Sequence, residues 1–166
     1  MLLVGISTLS NLFLSLAIFY KNEEVILTPL EMEGKLRFQR GRVPSEYLEL
    51  MGRDFARLLL DVSPASFPYN HQTILKYVAP EAYGTIQKQL LKDGEQYTSL
   101  QLSTHFKPAQ ITAYPETMEV DVKGILTSYI TDKQVHSSSE NIRLKFTTRG
   151  AGLLLESVSG GNPHAS

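Results

Sequence analysis

Met118-Glu-Val-Asp-Val-Lys-Gly-Ile-Leu-Thr-Ser-Tyr-Ile130 decides the fold. Met118, Val120, Val122, Leu126 and Ile130 fall on one side of an extended chain, opposite Glu119, Asp121 and Lys123, a period of two that marks a strand. Gly124 interrupts the run midway and predicts a bulge or sharp bend. Beyond it Ile125 and Tyr129 make the second face apolar too. That half is therefore expected to be covered on both sides, by a neighbouring element or by another subunit.

The same period extends to either side. Leu100, Leu102, Thr104 and Phe106 alternate with polar residues up to Pro108, Ile111 and Ala113 follow, and Pro115-Glu116 makes a turn. After a reversal at Thr131-Asp132-Lys133-Gln134, Ile142, Leu144 and Phe146 alternate with Asn141, Arg143 and Lys145. Arg149-Gly150-Ala151-Gly152 turns again, Leu153 to Val158 supplies the last strand, and Gly160 to Ser166 reads as a mobile tail.

Upstream the period is helical. Leu48, Met51, Phe55, Leu58, Leu59 and Val62 recur at three and four residues, with Ser45 expected as N-cap and Glu46 and Glu49 near the positive end of the helix dipole. Ser63 to Tyr69 holds two prolines and reads as a loop. Asn70 is expected to cap a short helix to about Val78, and Pro80 to open another through about Gln96, with Tyr83, Ile86 and Leu90 inward. Helices followed by a meander of long antiparallel strands give an α+β class. A curved sheet wrapped over about three helices is similar to the cone of the nuclear transport factor two-like superfamily.

The first twenty residues, Met1 to Tyr20, carry no charged side chain and give way at once to Lys21-Asn22-Glu23-Glu24. Twenty helical residues reach about 30 Å, the thickness of the hydrocarbon layer of a bilayer. The run is read as a transmembrane anchor. Ser7, Thr8, Ser10, Asn11 and Ser15 interrupt it, and Ser7, Thr8, Asn11 and Ser15 are assigned to a face that contacts other membrane helices. A cleaved signal peptide is the competing reading, since Ser15-Leu16-Ala17 resembles a cleavage site; the lack of a basic leader and the apolar continuation through Tyr20 weigh against it. The expected organisation is an anchor at 1–20, a linker and first strand at 21–44, an α+β domain at 45–159 and a tail at 160–166.

Val25 to Thr28, stopped by Pro29, reads as a short extended linker. Lys35, Arg37, Arg40 and Arg42 lie close behind the anchor, with Leu36 and Phe38 on one strand face. They offer a patch for phospholipid head groups, or else a solvated edge strand whose charges discourage pairing. Basic residues after the anchor would place the domain in the cytoplasm by the positive-inside rule, a rule that is weak for long translocated domains.

Composition excludes several classes. The formal net charge of −1 supplies no basic field for nucleic acid, so no direct nucleic-acid binding is expected. The absence of cysteine removes disulfides and thiolate metal sites. No HExxH, GxSxG, P-loop or GxGxxG pattern is present. Asp121, His105 and Tyr83 would permit acid-base work if all three faced one cavity, but Asp121 and His105 fall opposite the apolar strand faces, and His71 has no second ligand at metal spacing. No catalytic, cofactor-binding or metal residue is assigned, and no cofactor is expected.

Leu27-Thr28-Pro29, Tyr47-Leu48, Met51, Phe55, Leu58 to Pro64, His71, Leu75, Tyr77 and Pro80 follow one another in an order that resembles the TraE family of bacterial conjugation systems. Phe106 with Pro108, Val120 to Leu126 and Gly150 to Leu155 continue the resemblance over nearly the whole chain. TraE is similar in role to the eighth VirB component of type IV secretion machines. The resemblance implies a bitopic inner-membrane protein with a periplasmic cone domain. It further implies a non-catalytic scaffold that oligomerises, contacts other inner-membrane and periplasmic components, and supports DNA transfer and pilus formation. This sequence starts inside its apolar run, without the cytoplasmic leader of that family, so the orientation rests on the resemblance.

Overall fold

Burial begins with the helix over the sheet. In the computed structural model, which describes residues 25–27, 36–38, 43–131, 133–149 and 152–160, helix α1 spans Ser45–Leu60. Its Tyr47, Leu48, Met51, Phe55, Ala56 and Leu60 are buried, each large side chain contributing about 1.5–3 kcal/mol. The expected anchor with Ser7, Thr8, Asn11 and Ser15, the basic residues Lys35, Arg40 and Arg42, and 161–166 of the tail lie outside the described residues. Before α1, β1 (Val25–Leu27) pairs antiparallel with β2 (Leu36–Phe38), so the segment read as a linker is a strand and Arg37 lies in its partner.

Helix α2 spans Phe67–Lys76 and α3 spans Tyr83–Ser99. Four strands follow: β3 Leu102–Tyr114, β4 Glu119–Ile130, β5 Lys133–Arg149 and β6 Gly152–Gly160. They form one antiparallel meander in the order β3-β4-β5-β6. Three helices preceding a four-stranded antiparallel sheet is the architecture expected from the change of period. Helix α1 lies across β3 and β4. Phe55 meets Phe146 edge to face at 5.5 Å and Tyr77 at 6.4 Å, among Leu126, Val120, Val122, Ile142, Leu144 and Leu155. Gly52 lets α1 approach this closely, because a β-carbon there would strike the Val120 side chain.

Several local expectations change. Ser45 is the first helical residue rather than the N-cap; Pro44 holds that place and no side chain caps it. Asn70 caps nothing of its own. Its amide donates to Leu58 O at 3.2 Å and Asp61 O at 3.4 Å, satisfying carbonyls that the end of α1 leaves orphaned. Helix α2 starts earlier, at Phe67, because Ser63 and Ser66 accept each other's backbone N–H at 2.9 and 3.1 Å and set the turn before it. Pro80 precedes α3 without opening it, and Tyr83, the first residue of α3, is 41% exposed rather than inward. Leu100 is 51% exposed because it lies in the turn before β3. Ile130, expected inward, is exposed at the end of β4.

Gly124 does mark the irregular point of the sheet, but the extra residue is on its partner. Pro108 pairs with Gly124 and Gln110 with Lys123, so Ala109 is the bulge. A β-carbon at Gly124 would meet the carbonyl of Lys107 and the Phe106 ring, at 2.7 and 2.8 Å from two ring carbons.

Candidate functional site

A groove of about 680 Å³ opens between α3, the last turn of α1, and β5 and β6. Its apolar lining comes from Leu60, Ile86, Leu90, Tyr97, Ile142 and Val158, inward positions of the two helical and two strand patterns. Glu81, Asp93 and Glu156 line it as well, and among the described residues no lysine, arginine or histidine does. Lys145 donates to Glu156 at 2.9 Å and Gln89 to Asp93 at 3.0 Å. Tyr97 reaches the groove from a buried place where its hydroxyl is 3.4 Å from that of Thr104, and burial raises its pKa. With Glu156 paired to Lys145, Glu81 and Asp93 still leave the described lining acidic, which favours a neutral or cationic occupant over a carboxylate.

The three residues weighed for acid-base work are not brought together. His105 pairs with Asp61 at 3.3 Å on the surface. Asp121 is 7% exposed and held in a two-pronged contact by Arg143, Nε to Oδ1 at 2.6 Å and Nη2 to Oδ2 at 2.7 Å. Tyr83 stands exposed at the start of α3. His71 packs beside the Phe67 ring at 5.5 Å, and among the described residues no group of three His, Asp or Glu could hold a metal.

The Asp121 and Arg143 pair is a cross-strand clamp between β4 and β5. Hydrogen bonds from Arg143 are the main influence and hold the Asp121 carboxyl below its usual range; burial opposes them, and the charges of Arg143 and Lys123 add to them. A depressed carboxylate stabilises the fold above its unfolded pKa of about 4 and loses that contribution as pH falls through the folded value. Asp121→Asn should therefore lower stability at pH 7, with the gap to the parent narrowing below about pH 4. Urea midpoints at pH 7, 4 and 3 measure it, and a gap independent of pH would remove the clamp from the account.

Ile125 and Tyr129, expected to be covered, lie on the outer face of the sheet. Ile125 is 51% exposed and Tyr129 half-buried, so no neighbouring element of the described residues seals that face. Among the described residues no helix is long and apolar enough to cross a membrane. The outer face was legible as a contact surface from Ile125 and Tyr129 on one strand, whereas the groove beside α3 was not, because it combines residues from separate elements whose individual patterns only mark them as inward or outward.

Comparison with known proteins extends the resemblance read from the sequence. A TraE protein of Salmonella typhi is 25% identical over 128 residues, covering 77% of this chain and 68% of the relative. One of Escherichia coli K12 is 23% identical over 115 residues, covering 69% and 61%. The chain thus spans about two thirds or less of the length of these curated relatives. Among solved structures, Agrobacterium tumefaciens VirB8 superposes with a TM-score of 0.55 at 10% identity, over 69% of this chain and 89% of that one. A TraE protein in complex with 2-chloroisonicotinic acid gives 0.59 at 7% identity, over 71% and 96%. At these identities the two likenesses show a shared fold. A family profile described as TraE protein matches residues 1–159, and on that match the chain belongs to the TraE family.

Proposed function

We propose that this chain is a non-catalytic inner-membrane scaffold of a conjugative type IV secretion system, which oligomerises and contacts other channel components in support of DNA transfer and pilus assembly. The observation that carries the reading is the family match over residues 1–159, which includes the uncharged run at 1–20. In this reading 1–20 is a single membrane span, with Ser7, Thr8, Asn11 and Ser15 on its helix-contact face. The domain at 45–159 stands in the periplasm. Ile125 and Tyr129 offer a surface for a partner or a second copy, and Lys35, Arg37, Arg40 and Arg42 meet lipid head groups.

Affinity purification from detergent-solubilised membranes tests the proposal. Other secretion components should co-purify, and in-membrane crosslinking should give oligomers, whereas residues 21–166 alone should associate weakly. Strictly monomeric chains that bring down no membrane partner would sink it. The groove supports a second reading, a membrane-anchored binding module for a small molecule or peptide. Solved TraE proteins hold pyridine carboxylic acids, but the acids lining this groove favour a neutral or cationic occupant. A ligand retained through the same purification, found by mass spectrometry, would favour that reading.

A further inference from the structure

Among the described residues the edges of the sheet are not protected alike. The β3 edge is bridged at Thr104 by Val62, and further along it carries Lys107, Pro108 and the bulge at Ala109. The β6 edge is bridged at Leu155 by Val78, with Ala79 N–H donating to Leu155 O at 2.9 Å and Leu155 N–H to Tyr77 O at 2.7 Å. Among the described residues β5 is longer than β6, whose pairing with it reaches only Ile142. From Val135 to Asn141 β5 therefore has β4 on one side and, among the described residues, no strand on the other. This open stretch, Val135-His-Ser-Ser-Ser-Glu-Asn141, contains no proline, lysine or arginine, the usual devices that discourage pairing.

Its outward backbone groups can be identified. Phe146 N–H donates to Met118 O, so even-numbered residues of β5 face β4 along the bulge-free run from Lys145 to His136. Odd-numbered groups face away, consistent with the Asn141 carbonyl lying against Gly160 of β6. Ser137 and Ser139 thus present their N–H and C=O groups at the open edge.

We infer that this edge pairs antiparallel with the same edge of a second copy of the chain, with Ser138 opposite its own counterpart. Two observations select that register. The regular part of the open edge runs from the end of the described β6 at Ile142 to the bulge at Val135, with Gln134 and Lys133 beyond the bulge, and Ser138 lies at its middle, so a two-fold pair centred there meets neither copy's described β6. The same register sets Ser137 against Ser139 and the Glu140 carboxylate against the His136 imidazole of the other copy, twice. Centring on Ser137 would instead set Glu140 against Gln134. Val135, 53% exposed at the bulge, flanks the pair. So short a duplex is too small to join two free domains, and it becomes effective when both are held on one membrane at high local concentration. The inference rests on the anchored-scaffold reading and names the surface of that domain which self-associates.

The chain has no cysteine, so single cysteines report cleanly. Ser138→Cys in the full chain, oxidised in native membrane vesicles, should give at least about tenfold more disulfide dimer than Ser157→Cys, because opposed residues of a non-hydrogen-bonded pair have α-carbons about 4.5 Å apart, within disulfide range. Adding Ser139→Pro deletes one outward N–H and no bond to β4; it should abolish the dimer while the thermal midpoint is kept. If that variant unfolds, Glu140→Arg, which replaces the carboxylate facing His136, should give the same loss. Oligomers seen with an amine crosslinker but no Ser138→Cys disulfide would overturn the edge pairing and leave the scaffold reading standing. A disulfide that survives a folded Ser139→Pro or Glu140→Arg variant would overturn it too. Absence of oligomers by both methods would count against both.

Discussion

Phe55→Ala is expected to destabilise the domain by about 3–5 kcal/mol, the range for emptying a fully buried aromatic site. Phe55 joins the two halves of the molecule: it stands on α1, meets Phe146 of β5 edge to face, and touches Tyr77 after α2. Its removal leaves a cavity between helix and sheet that neither can close, since Gly52 already sets α1 against Val120. Urea denaturation followed by circular dichroism should show a lower midpoint with an unchanged slope. A loss below about 1 kcal/mol would mean that α1 does not hold the core together.

Gly124→Val should cost about 3 kcal/mol, the upper end of the usual overpacking range. Overpacking is tolerated when the obstacle is the tip of a flexible side chain. Here it is the Lys107 carbonyl, fixed in the β3–β4 ladder, together with the ring of the buried Phe106. Relief requires parting β3 from β4 where Pro108 and Ala109 already interrupt the pairing. The same denaturation assay applies, and a Gly124→Val variant as stable as the parent would show that the glycine is not needed for packing.

The two substitutions separate what a residue pattern can and cannot convey. Phe55 was legible as core because an amphipathic helix repeats its apolar residues at fixed intervals. Gly124 was legible as an irregularity, but the bulge belongs to β3, because the number of residues opposed on two strands is a property of the pair. Tyr83 and Leu100 matched apolar periods yet are exposed, each at the boundary of an element where the period no longer faces the core. Asn70 looked like a helix start and instead closes the end of another helix, a partnership across nine to twelve residues that no local signature encodes.

By itself the sequence determined the order of three helices and four antiparallel strands, the uncharged run at 1–20 and the family, because periodicity and the order of residues along the chain are local properties. The tertiary structure decided the rest. It separated Asp121, His105 and Tyr83, assembled an acid-lined groove from four elements, and, among the described residues, left β5 without a second neighbour from Val135 to Asn141, β6 pairing only as far as Ile142. Strand ends and groove walls arise where elements of unequal length meet, and relative length in space is set only once the chain has folded.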